Sequence, residues 1–71
     1  MGDRLLRQAE VMRMTGLSRT AIWDMERRGE FPRRRRVGAR TVAWLESELV
    51  EWMRTRPVVG VGGAAEDEEA A

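Results

Sequence analysis

The order of signals along the chain predicts a mainly α-helical domain with one small β-hairpin, arranged helix, turn, helix, hairpin, helix. Three observations carry that prediction. Two short segments of helical periodicity are separated by Gly16, Leu17 and Ser18, so that a helix stop and a helix start stand almost side by side. A stretch rich in valine, threonine and tryptophan follows over residues 33 to 44, interrupted by the turn-forming sequence VGAR. A third periodic segment then runs over residues 46 to 56 and meets Pro57.

The first helix begins near Arg7 in RQAEVMRMTG, with Val11, Met12 and Thr15 on one face, and Gly16 stops it. No Ser, Thr or Asp precedes it as a cap. The second helix, SRTAIWDMERRG, has Ser18 as N-cap, its hydroxyl placed to accept from the amide of Thr20 or Ala21. Arg27 and Arg28 fall in its last turn, where positive charge suits the helix dipole; Gly29 supplies a left-handed end and Pro32 blocks continuation. In the third helix, ESELVEWMRTR, the residues Leu45, Leu49, Trp52 and Met53 form an inward stripe. The expected core is Leu6, Val11, Met12, Leu17, Ile22, Met25, Phe31, Val37, Val42, Trp44, Leu49, Trp52 and Met53. A hairpin placed after a helix-turn-helix makes a winged helix-turn-helix. Residues 1 to 57 form this domain; residues 58 to 71, Gly-rich and then acidic with no aromatic side chain, read as a disordered acidic tail.

Composition limits what such a domain can do. At 71 residues there is room for one small core, so function is expected on the surface. With Cys 0 and His 0, disulfides, thiolate nucleophiles, imidazole acid-base chemistry and the usual zinc ligand sets are excluded; no catalytic residues, metal or cofactor are expected. All 13 basic residues are arginine, which favours planar, bidentate recognition of phosphate and guanine. Residues 1 to 57 carry 13 positive and 8 negative side chains, a net +5, and the tail carries the remaining four negatives. No apolar run is long enough to span a bilayer and no signal-peptide core stands at the start, so a soluble, cytoplasmic protein without membrane contact is expected.

The candidate site is a basic surface for double-stranded DNA. Arg19, Trp23 and Arg27 are spaced by four and line one face of the second helix, with Ile22 and Met25 on the other and Thr20 and Asp24 flanking. The N-terminal residues of such a helix are those that reach base edges in the major groove, which puts Ser18, Arg19 and Thr20 beside Trp23, Arg27 and Arg28 in the candidate set. Taken alone, Arg19 and Arg27 also fit a solvated face with Trp23 half-buried; the neighbouring turn and basic hairpin favour recognition. In the run of residues 33 to 36, a two-residue Gly38-Ala39 turn of type II′ would pair Arg35 with Val42 and Arg33 with Trp44. That even register keeps charge off the apolar face. It aims Arg34, Arg36 and Arg40 outward as wing contacts and lays Arg33 and Arg35 over Trp44.

The phrases TGLSRTAIW, GEFP and VAWLESELVEWM, in that order between Leu5 and Arg56, resemble the AlpA-like prophage regulators, relatives of MerR-type winged helices and of phage excisionases. The resemblance implies a DNA-binding protein of a prophage or integrated element that regulates transcription or assists an integrase in excision. It further implies that residues 18 to 28 enter the major groove and that residues 33 to 44 touch the minor groove or backbone, with further copies on the DNA or an integrase as partners. The chain departs from the family pattern at Glu26, where an aliphatic residue is common, and at Arg34 and Arg35, where proline and an aliphatic residue often stand. The rival reading is a protein-interaction module that docks on an integrase or other partner through its third helix or Trp23.

Overall fold

A computed structural model describes residues 3–60 of the chain. The expected acidic tail lies outside the described residues except for its first three positions. The elements run β1 (Leu5–Leu6), α1 (Gln8–Thr15), α2 (Arg19–Arg27), β2 (Arg35–Arg36), β3 (Val42–Leu45) and α3 (Glu46–Arg54). The observed fold is the mainly α winged helix-turn-helix that the sequence predicts, and among the described residues no helix is long and apolar enough to cross a membrane.

Local chemistry sets both ends of the helix-turn-helix. Gly16 ends α1 with φ 76°, its N–H donating to the Met12 carbonyl at 2.8 Å. In the turn, the Thr15 hydroxyl donates to the Val11 carbonyl at 2.8 Å and accepts from the Leu17 amide at 3.2 Å. Ser18 Oγ accepts from the Ala21 amide at 3.1 Å and caps α2. At the other end of α2, Gly29 takes φ 75°, its N–H donating to the Glu26 carbonyl while the Glu30 amide donates to Met25 at 2.8 Å. That reciprocal pair is the Schellman stop that a glycine in the left-handed region permits.

The third helix starts without a cap of its own, since Leu45 stands at its N-cap. The N-terminal segment supplies one: Asp3 accepts from the Ser47 amide at 3.0 Å and from the Ser47 hydroxyl at 2.6 Å, and the Arg4 carbonyl accepts from the Glu46 amide at 2.8 Å. Arg4 also pairs with Glu10 and Glu46. The third helix closes two residues earlier than its sequence predicts, on Thr55.

The strands form one antiparallel sheet in the order β1-β3-β2. Two differences from expectation appear in it. The strand β1, unread in the sequence, pairs Leu5 with Leu45 and Leu6 with Trp44. The wing register is also one residue away from the expected one: Arg35 pairs with Ala43 and Arg36 with Val42. The hairpin therefore closes through a three-residue loop, with the Val37 and Gly38 amides both donating to the Thr41 carbonyl. Gly38 is not among the positive-φ glycines, so the type II′ turn is not formed.

This register places Arg34 beside Trp44, its guanidinium carbon 5.0 Å from the ring centre, and turns Arg35 to the opposite face. Charge on the apolar face, the ground for preferring the even loop, is accommodated because the carboxylate of Glu26 meets it there. Val37 consequently leaves the expected core and is exposed, while Ala43 enters it.

The core comprises Leu6, Val11, Ile22, Phe31, Ala43, Trp44 and Leu49, with Met12, Leu17, Met25, Trp52 and Met53 packed against it. Each fully buried large side chain contributes about 1.5–3 kcal/mol. The indole N–H groups are satisfied: Trp44 donates to the Pro32 carbonyl at 3.0 Å and Trp52 to the Glu30 carbonyl at 2.8 Å. Phe31 meets Trp52 edge-on at 4.6 Å. The segment between α2 and the wing is therefore fastened to β3 and α3 rather than left as a free loop.

The Asp3 cap predicts a pH signature. Hydrogen bonds from the Ser47 side chain and then its amide hold the Asp3 carboxyl below its ordinary value. A depressed carboxylate contributes stability that is fully present above its ordinary value of about 3.9 and disappears as pH falls through the lower folded value. Asp3→Asn is expected to lower the melting temperature at pH 7 and to flatten the loss of stability below about pH 4; thermal unfolding followed by circular dichroism across pH checks both.

Candidate nucleic-acid interface

The exposed face of α2 follows from its packing. Ile22 is fully buried and Met25 half-buried, which turns the residues spaced by four from Arg19 outward. Arg19, Thr20, Trp23 and Arg27 are all exposed, Trp23 at 53% despite its size. Over about 12 Å, from the ~1.5 Å rise per residue, they form one continuous strip. Ser18 at the head of the strip is exposed and uses an oxygen lone pair as cap, leaving its O–H proton as a donor.

At the foot of the strip one carboxylate arranges two arginines. Asp24 Oδ1 accepts from Arg27 Nη2 at 2.9 Å, and Asp24 Oδ2 pairs with Arg28. These bonds, that of Arg28 first, hold the Asp24 carboxyl below its ordinary value and raise the Arg28 guanidinium. Arg27 also lies over Trp23, 4.7 Å from the ring centre, so its guanidinium is supported on one face by the indole and along one edge by Asp24. Arg28 bridges onward to Glu30 at 3.5 Å.

The arginine run divides differently from its sequence-based assignment. Arg34 is the inward member: its amide and Nε donate to the two oxygens of Glu26 at 3.0 and 2.9 Å, and Nη2 lies 2.8 Å from Oε1. Arg35 turns toward α3, where Glu48 binds Nη2 at 2.5 Å and raises the guanidinium pKa. Arg36 is exposed and braced by one bond from Nη1 to the Ala39 carbonyl at 3.0 Å, and Arg40 is exposed at the loop tip. Arg33, expected to lie inward, is exposed. Among the described residues Arg19, Arg33, Arg36 and Arg40 make no ion pair.

Two shallow depressions flank Trp23. One is lined by Gln8, Arg19, Thr20, Trp23 and Arg34, the other by Trp23, Glu26, Arg27, Arg33 and Arg34. Across Trp23 they bring Arg19, Thr20 and Arg27 of α2 together with Arg33 and Arg34, whereas Ser18, Arg28, Arg36 and Arg40 line neither depression. Sequence reading missed Glu26, Gln8 and the outward Arg33 as parts of this surface. A signal for Glu26 was present: it lies four residues after the buried Ile22, on the inner face of α2.

Comparison with known proteins matches the chain to a family. Residues 4–57 fit the model of the family described as the prophage CP4-57 regulatory protein (AlpA). The chain is 48% identical over 54 residues to the uncharacterized protein ORF88 of Enterobacteria phage P4, an alignment covering 76% of this chain and 61% of that protein. It is 34% identical over 59 residues to the DNA-binding transcriptional activator AlpA of Escherichia coli (strain K12), covering 75% of this chain and 84% of that one. The chain thus spans less than two thirds of the length of the phage P4 relative.

The exposure of Trp23 and the burial of Trp44 separate surface from core by a measurable amount. Trp23→Ala is expected to cost about 0.5–1 kcal/mol, the scale of its exposed contact with Arg27, whereas Trp44→Ala is expected to cost about 3–5 kcal/mol. Urea denaturation of the two variants measures the contrast.

Proposed function

The chain belongs to the AlpA family of prophage regulatory proteins, and from that premise we propose that it is a sequence-specific double-stranded DNA-binding protein of a prophage or integrated element. It acts in the cytoplasm as a transcriptional regulator or as an excisionase. The mechanism is positioning of DNA, and bending where several copies bind in tandem, without covalent chemistry. The observation that carries the reading is the exposed strip of Arg19, Thr20, Trp23 and Arg27 on α2, with the exposed Arg33 beside it across a shallow depression.

In this reading α2 lies in the major groove. Its strip of about 12 Å covers roughly three to four base pairs. Arg19 and Thr20, in the first turn, reach base edges; Ser18 donates to the adjoining phosphate. Arg27, stacked on Trp23, presents its free edge to a base, and the indole offers an apolar surface to a thymine methyl. Arg28 and the wing residues Arg36 and Arg40 hold the backbone or the minor groove, where arginine is favoured by the local potential. Arg33, exposed at the start of the wing, joins them.

Regulator and excisionase differ in where the protein sits. Footprinting on DNA of its own element is expected to show phased repeats at the attachment site for an excisionase working beside an integrase and further copies of itself, and a promoter site for a regulator. The wing gives the sharper test against a pure protein-docking module. Arg36→Ala and Arg40→Ala are each expected to weaken binding to all duplexes and to lower the log-log salt slope by about 0.9 for every phosphate no longer neutralised. Unchanged affinity and slope in both variants would contradict a DNA role for the wing.

A further inference from the structure

The second of four consecutive arginines, in a wing facing DNA, has its charge taken up by a carboxylate that is itself only 8% exposed. Glu26 accepts from the backbone amide and from two guanidinium nitrogens of this one residue, and the Trp44 ring lies against the guanidinium. Drawing Arg34 out to a phosphate would leave the largely buried Glu26 carboxylate without its cation, which is the costly half of breaking a buried ion pair. A phosphate offers Arg34 little that Glu26 does not already give.

The same bonds tie a side chain of α2 directly to the residue that precedes β2. The strand β2 is two residues long and pairs with β3 alone, so its hydrogen bonds, with those of Val37 and Gly38 to Thr41, close the hairpin toward its tip and do not tie the wing to α2. Between α2 and β2 the chain is fastened at three successive points. Gly29 and Glu30 bond back to α2, the Pro32 carbonyl accepts from Trp44, and Arg34 closes onto Glu26 one turn beyond Ile22.

We propose that Glu26 and Arg34 are positioning residues which set the angle of the wing against α2, and that Arg34 itself does not contact DNA. This inference rests on the DNA-binding reading above. Its consequence is a division of labour. The outward arginines Arg33, Arg36 and Arg40 attract any duplex, while the inward pair holds α2 and the wing at the spacing that one DNA geometry satisfies. The pair thus determines discrimination between sites rather than overall attraction.

The test uses the full chain and two duplexes: one selected by the wild type from a random pool, and a scrambled duplex of equal length. Affinities are measured over a series of NaCl concentrations, well below the melting temperature of each variant. Glu26→Leu frees Arg34 and is expected to lower the ratio of selected to scrambled affinity by about tenfold, the scale of one mismatched base pair, while steepening the slope on the scrambled duplex. Glu26→Leu/Arg34→Leu replaces the ion pair by apolar packing and is expected to keep the wild-type slope, because the same phosphates remain neutralised. Arg34→Lys, which keeps the charge without the two-point clasp, is expected to lower the ratio with the slope retained.

A slope smaller by about 0.9 in the double variant would place Arg34 on a phosphate and overturn the inference. An affinity ratio unchanged in both Glu26→Leu and Arg34→Lys would also overturn it, since a merely structural pair moves the melting temperature alone. A wild-type chain that selects no duplex would overturn the DNA-binding reading itself, and the two failures are thereby distinguishable.

Discussion

One ion pair fastens the start of the wing to the preceding helix. Glu26 projects inward from α2 and binds the amide and guanidinium of Arg34, which in turn lies on Trp44 at the centre of the sheet. If that carboxylate were absent, the observed register would place an uncompensated charge beside a fully buried indole. With it, the odd loop becomes accessible, Arg35 is turned to Glu48, and Arg33 and Arg36 are left exposed. The partition of the whole arginine run follows from one acidic residue on the preceding helix.

Small size explains why such fastenings matter. A core of seven buried apolar residues leaves little surplus stability, and the fold spreads its constraints over long-range polar contacts. Asp3 caps a helix near the far end of the domain, Trp44 and Trp52 tie down the segment between α2 and the wing, and Arg4 links the N-terminal segment to both α1 and α3. Polar side chains here carry much of the tertiary specification, and that leaves the arginines of the α2 strip free to face outward.

The helices were legible because their signals are local. Gly16, Ser18 and Gly29 each act within four or five residues, and the apolar spacing around Ile22 and Leu49 repeats within each helix. The exposed face of α2 was legible for the same reason, since burying Ile22 turns out the residues spaced by four. The wing register was not, because it depends on Glu26 meeting Arg34 between two separate elements. An alternation of arginines has no intrinsic inner and outer face. Strand β1 escaped notice because two leucines show no period, and the cap on α3 because Asp3 and Ser47 are adjacent only in space. The one local hint was chemical: Glu26 stands among apolar residues on the buried side of its helix.

Chemical protection of bound DNA tests the central claim most directly, that α2 reads the major groove while the wing follows the adjacent backbone or minor groove. Methylation by dimethyl sulfate reports guanine N7 in the major groove and adenine N3 in the minor groove on one duplex. On a duplex selected by the chain, protection of guanine N7 within about three to four consecutive base pairs is predicted, matching the exposed length of α2, with altered adenine N3 reactivity only to one side. Protection confined to the minor groove, or none at guanine N7 in a complex that forms stably, would contradict the assignment of α2 as the reading helix.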